Sequence, residues 1–107
     1  MRIAILNIDI LNAFCPGGTL PVKDGDQVVV PSNIINKKAQ QENHLSIFVA
    51  DRHPQKTGHF KKWPPHAIKG TPDAEFHPLL NTEGGIIIEK GTKPDEDAYS
   101  GLKGLIY

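Results

Sequence analysis

Apolar residues in this 107-residue chain fall into a few short runs separated by long polar stretches rich in proline and glycine. The first run, Ile3 to Ile8, is interrupted only by Asn7. It is near-continuous and β-branched instead of alternating, which predicts a strand covered on both faces. The second, Leu45 to Ala50, has the same character and leads into Asp51. Ile86, Ile87 and Ile88 form a third, followed by Glu89 and Lys90. Between the first two, Val30, Ile34, Ile35 and Ala39 recur at helical spacing. Pro31 is tolerated in a first turn, where its missing N–H costs least, and Asn43 and His44 are plausible terminators, so a helix is predicted from near Pro31 to about Glu42. Strand, helix, strand is a βαβ unit, right-handed in nearly all cases. The pattern therefore predicts an α/β domain with a parallel sheet.

The remaining segments are loop-like. Pro16, Gly17, Gly18 and Pro21 break up Leu11 to Val22, Asp24 to Asp26 is a turn, and Pro78 to Gly85 carries little pattern. The chemistry lies where strands meet loops. The three predicted strands end in Asp9, Asp51 and Glu89–Lys90. In a parallel sheet these groups share one edge, the edge at which α/β sheets bind ligands. Burying two carboxylates and an ammonium together is costly unless they pair with one another or with a metal. A carboxylate beside a lysine is also a poised acid–base pair. The stretch from Ala50 to Pro78 holds four of the five histidines, with Asp51 two residues before His53, and His59 and His66 soon after. A carboxylate and neutral imidazoles at this spacing suit a borderline divalent cation, and Asp51, His53 and His66 together read as a metal site.

Composition narrows the function classes. Twelve basic residues balance twelve acidic ones, and no basic stripe is present, which excludes a nucleic-acid partner. Apolar runs are strand-sized, far short of the ~20 residues of a spanning helix, so no membrane association is expected. With no signal peptide visible, the expected location is cytoplasmic. The single cysteine, Cys15, rules out an internal disulfide and reads as a small buried hydrophobe.

Taken in order, NIDILNAFCPGGTLPV, ADRHP with His59, WPPH, GTPDAEFHP and EKGTKPDEDAYSG resemble the nicotinamidase/pyrazinamidase branch of the isochorismatase-like hydrolases. The likeness runs from Met1 to about Gly104, nearly the whole chain. It spans only the N-terminal part, somewhat more than half, of the usual family member. It implies a single incomplete domain over residues 1–107, a partial three-layer α/β/α, Rossmann-like fold whose C-terminal strands and helices are absent. By the same resemblance Asp9 is the general base and acid and Lys90 the catalytic lysine. Asp51, His53 and His66 hold the metal, with His59 as a further ligand in some members. Phe14 and Trp63 wall the pyridine ring, with Tyr99 nearby. The metal is zinc, or iron or manganese in other members, and the substrate is nicotinamide, hydrolysed to nicotinate and ammonia in NAD salvage.

The departures bear on function. Leu11 and Ala13 stand where the family is usually polar, and the loop between His59 and Trp63 is short. The family's cysteine nucleophile, on a strand-to-helix turn that also forms the oxyanion hole, lies beyond the segment matched here, and Cys15 does not correspond to it. The implied readings are a nicotinamidase whose chain is truncated or is completed by another polypeptide, such as a complementing C-terminal fragment, or a catalytically inactive metal-binding half-domain; a homo-oligomer is a further expected association.

Overall fold

The computed structural model describes residues 1–96, 101–103 and 105–106; Tyr99 lies outside them. Three parallel strands, β1 (Ala4–Ile8), β2 (Leu45–Asp51) and β3 (Ile86–Lys90), form a sheet in that order. A two-residue strand, β4 (Leu105–Ile106), pairs antiparallel with β3. One α-helix, α1 (Val29–Gln41), connects β1 to β2. Among the described residues the other helical pieces are single 3₁₀ turns. The sheet with its helix is the α/β arrangement expected from the apolar runs.

The register explains how the sheet distributes its side chains. Leu6 pairs with Ile47, which pairs with Ile86, and Ile8 pairs with Val49, which pairs with Ile88. One step on, Asp51 pairs with Lys90. Side chains alternate between faces along a strand. The apolar rows and the Asp51–Lys90 row therefore lie on one face, and the intervening residues, including Asn7 and Phe48, lie on the other.

On that second face α1 packs, and here the sequence pattern misleads. The predicted stripe of Val30, Ile34 and Ile35 faces outward, with Val30 66% and Ile34 65% exposed. The residues buried against the sheet are Val29, Asn36 and Ala39. The cause is a reciprocal amide pair: Asn7 Nδ2 donates to Asn36 Oδ1 at 3.0 Å, and Asn36 Nδ2 donates to Asn7 Oδ1 at 2.8 Å. Asn7 Nδ2 also reaches the Ile47 carbonyl, and Asn36 Nδ2 the Ser32 carbonyl. Two buried polar groups with partners on both sides hold the helix in this orientation. The helix starts at Val29, before Pro31, because a proline within the first turn sacrifices no intrahelical bond.

Apolar packing continues above α1. Ile10, Val29, Phe48 and Leu80 form one buried cluster, and Leu11, Ala13, Ala50, Ala67 and Ala74 a second. Leu11 and Ala13, the positions that depart from the family pattern, are thus core residues. The opposite face is different. β1 is not covered on both sides among the described residues: Leu6 is 57% and Ile8 62% exposed.

Candidate metal-binding and catalytic site

The carboxyl ends of β1, β2 and β3 deliver Asp9, Asp51 and Lys90 to one point. Asp9 continues the ladder, its N–H bonding the Val49 carbonyl at 2.9 Å, and then turns with φ 56°. Aspartate tolerates this left-handed conformation better than most residues. The turn aims the carboxylate back, so that its Oδ1 accepts from the Asp51 N–H at 3.1 Å. Lys90 Nζ donates to Asp51 Oδ1 at 2.6 Å and lies 3.0 Å from Asp9 Oδ2. Glu89, the other charged residue at the end of β3, points to the opposite face by strand alternation and meets Arg52 at 3.2 Å.

The protonation states follow from these contacts. Burial opposes the charge on Lys90, but Asp9 and Asp51 outweigh it and raise its pKa. Burial likewise opposes ionisation of Asp51, yet His53, His66 and Lys90 hold its carboxyl well below the usual range. Asp9 goes the other way: burial and the Asp51 charge raise its pKa, with Lys90 pulling against them. Two carboxylates within a few ångströms are pushed apart, one fixed as an anion and one made easier to protonate.

Beside this triad sit three histidines. The putting together depends on local loop structure: Thr57 Oγ1 caps the 3₁₀ turn Gly58–Lys61 by accepting from the His59 N–H, and the chain then runs through Trp63 and two prolines to His66. One ring nitrogen each of His53, His59 and His66 lies within 4.8 Å of the others. Asp51 Oδ2 is 3.5 Å from His53 Nε2 and 3.7 Å from His66 Nε2. His53 Nδ1 is 2.9 Å from the Gly91 carbonyl, and His66 Nδ1 is 2.6 Å from the Pro64 carbonyl. A carbonyl only accepts, so each Nδ1 carries the proton and each Nε2 presents a lone pair inward. His53 Nε2 is buried without a hydrogen-bond partner among the described residues. An orphaned, buried lone pair facing a carboxylate and two further imidazoles is a donor set that fits a tetrahedral or five-coordinate divalent metal.

These groups open into a groove of about 720 Å³. Phe14, Leu20, Trp63, His59 and His66 line it above, and Leu6, Ile8, Val49 and Ile88 continue it down the sheet face. The Phe14 ring is 5.6 Å from His66, and Trp63 stacks 6.5 Å from His59. The structure thus brings Asp9, Phe14, Asp51, His53, His59, Trp63, His66 and Lys90 together. Cys15 is buried in another cavity, near Asp26 and His77, where burial raises its thiol pKa. Sequence reasoning passed over Gly91, whose contribution is a carbonyl. At φ 66° it approaches His53 so closely that a Cβ would lie 2.5 Å from the ring. Arg52 was also passed over. Its Nε donates to the Ala74 carbonyl at 2.8 Å and its guanidinium lies 5.3 Å from the Phe76 ring centre, clamping the backbone between Asp51 and His53.

With this geometry in hand, the relatives are informative. The isochorismatase domain model matches residues 3–101. The nicotinamidase/pyrazinamidase of Mycobacterium tuberculosis is 33% identical over 110 residues, 95% of this chain and 58% of that protein. The nicotinamidase of Escherichia coli is 30% identical, over 91% of this chain and 55% of its own. Among solved structures, the pyrazinamidase of Pyrococcus horikoshii in complex with zinc superposes with a TM-score of 0.85 at 36% identity, over 94% of this chain and 57% of that one. The chain spans little more than half the length of these relatives. In the Mycobacterium protein, 110 matched residues making up 58% leave about 80 unmatched. The chain belongs to the isochorismatase family.

Proposed function

We propose that this chain carries the metal- and substrate-orienting portion of a nicotinamidase-type amidohydrolase, acting on a small amide such as nicotinamide. The observation that supports this reading best is the single groove holding the Lys90–Asp9–Asp51 triad next to three convergent histidines. Asp51, His53 and His66 are proposed to hold a divalent cation, zinc first and iron or manganese as alternatives, with His59 contributing. When bound, that cation supplies a Lewis-acid contact for a ligand nitrogen. The protein's own residues do the remaining work. Phe14 and Trp63 stack on the two sides of a flat ring, and Tyr99 is assigned beside them by resemblance alone. Asp9, with its raised pKa, takes a proton from an attacking group and returns it to the leaving amine. Lys90 stays charged and donates where negative charge builds up.

The attacking thiol is proposed to come from outside these 107 residues, since Cys15 is buried away from the groove. Residues 1–107 are then an incomplete domain, placed in the cytoplasm and in NAD salvage. Without a nucleophile and oxyanion hole, the chain alone binds metal and turns over orders of magnitude below a complete enzyme. The same site in a metal-binding half-domain with no catalytic partner is the second reading. Metal content of the purified chain and of His53→Ala tests the shared core, and equal content in both refutes it. Ammonia release from nicotinamide, measured on the chain with and without a complementing fragment, separates the two readings: release only in the complemented sample favours the enzyme.

A further inference from the structure

Ala67, the residue after His66, is fully buried and has φ 48°, a left-handed conformation that alanine rarely adopts. Such a conformation persists only where the surroundings over-determine it. Two hydrogen bonds do so here. The Ala67 carbonyl accepts from the His53 N–H at 2.9 Å, and the Ala67 N–H donates to Asp73 Oδ2 at 2.7 Å. If Ala67 relaxed, the His66 ring beside it would swing and the backbone of His53 would lose its partner. The Asp73 carboxylate also reaches the other way. Its Oδ1 accepts from the Thr19 N–H at 3.2 Å, and its Oδ2 from the Thr19 hydroxyl at 2.6 Å. Thr19 leads into Leu20, whose N–H bonds the Ala13 carbonyl at 2.9 Å, next to Phe14. Leu20 and Phe14 line the same groove as His66.

We propose that Asp73 is a positioning residue that fixes two walls of the groove at once, the metal end through Ala67 and the ring end through Thr19. It stands behind the groove, on the wall of the separate cavity around Cys15, and acts through the residues it holds. The chemistry suits a carboxylate. Three donors converge on Asp73, and an ionised carboxyl is acceptor-only, with room for all of them on two oxygens. Bonds to a charged acceptor are also about twice as strong as neutral ones. A staple for the surface loop alone would need only Thr19. The third donor comes from the one strained residue between His66 and the core, and that contact ties the loop to a metal ligand. Coupling follows from the shared carboxylate. A cation that fixes His66 also fixes Ala67, then Asp73, then Thr19 with the Leu20 wall. A firmly held Leu20 wall in turn favours the His66 orientation that presents Nε2 inward, because coupling between two sites is reciprocal.

This role rests on the reading of Asp51, His53 and His66 as a metal site. The test measures zinc affinity by calorimetric titration, and hydrogen exchange at the Thr19 and Leu20 amides with and without zinc. Asp73→Ala should lower zinc affinity about 10–100-fold, as removal of groups that orient metal ligands does. Asp73→Asn keeps one oxygen for the Ala67 N–H and should recover most of that loss. In an Ala67→Gly background, where a positive φ carries no side-chain penalty, Asp73→Ala should cost about threefold less or better. In the wild type, zinc should slow exchange at Thr19 and Leu20 about fivefold or more, and in Asp73→Ala it should not. Thr19 is exposed, so Thr19→Ala should fold as the wild type does even if Asp73→Ala does not, and losing the hydroxyl bond should weaken the zinc-linked protection of Leu20. Wild-type zinc affinity in Asp73→Ala, an Asp73→Asn loss as large as that of Asp73→Ala, or zinc-linked protection that is absent in the wild type or undiminished in Thr19→Ala would each overturn the role of Asp73 and leave the metal site standing. A wild-type chain that binds no zinc would overturn both.

Discussion

Replacing Lys90 by methionine removes the one cation between two carboxylates while keeping the length of the side chain. Lys90 is 3% exposed and lies 2.6 Å from Asp51 and 3.0 Å from Asp9. Taking one partner from a buried ion pair costs about 3–5 kcal/mol, because the charge left behind has no compensation. The Asp9 side chain is 21% exposed and partly screened by water, so the loss should fall near the low end, about 3 kcal/mol. At roughly 4–8 °C per kcal/mol for a domain of this size, Tm should drop by about 12–24 °C. The effect has a pH signature. Burial and Asp51 already raise the pKa of Asp9 in the folded chain, and Lys90 opposes them; without Lys90 it rises further. A carboxyl raised on folding penalises the fold when ionised and ceases to do so when protonated. The destabilisation should therefore be largest near pH 8 and shrink toward pH 5. Asp51 works in the opposite sense. In the wild type its lowered pKa contributes stability that is present above its unfolded value, about 3.9, and lost only as pH falls below it, outside this window. The assay is urea denaturation from pH 5 to 8, followed by circular dichroism, with a chelator present. Adding Asp9→Asn to Lys90→Met should restore most of the stability. A loss under 1 kcal/mol, a loss equal at pH 5 and pH 8, or an Asp9→Asn substitution that deepens it would refute this reasoning.

Three further outcomes are expected. Gly91→Ala should lower zinc affinity about 10–100-fold by calorimetric titration, since its Cβ would displace the His53 ring and φ 66° disfavours alanine; unchanged affinity would show that the Gly91 carbonyl does not hold that ring. Burial lowers the pKa of His66 but the Asp51 carboxylate outweighs it and raises it, so protons should compete with metal at this ring. Zinc affinity should therefore rise from pH 6 to pH 8, and a flat profile would contradict the assignment. Cys15→Ser should leave zinc and nicotinamide binding unchanged while costing about 1 kcal/mol of stability from burying a hydroxyl in place of a thiol; a selective loss of binding would mean the cysteine reaches the groove.

The strands and the charged residues at their ends were legible because both signals are local. A continuous β-branched run marks a buried parallel strand, and the next charged residue marks where it leaves the sheet. The histidines were legible as a group through their spacing, but the way Thr57, Pro64 and Gly91 orient them was not. Those contacts run through backbone carbonyls and a single capping hydroxyl, which leave no mark on residue type. The helix was found, but with the wrong face inward. Periodicity detects an apolar stripe without saying whether it is the stripe that packs, and Asn36, the residue that settles it, is polar. Coverage of β1 on both faces was expected from its near-continuous apolar run and is not met among the described residues, because such a run registers what a strand needs and not which residues cover it.

The Asn7–Asn36 pair has a consequence for how the chain finds its fold. α1 can be laid on the sheet in two ways. The more apolar side, Val30 with Ile34, would remove more hydrocarbon from water, and early collapse has every reason to try it. That arrangement would leave the Asn7 side-chain oxygen among apolar neighbours, without the Asn36 donor it now accepts from. The observed one gives up some apolar burial and satisfies both amides. A single hidden polar contact, absent from any hydropathy profile, thus acts as the key that distinguishes one docking of the helix from its near-opposite. Exchanging both asparagines for leucine should leave a chain that still collapses but has lost its means of choosing.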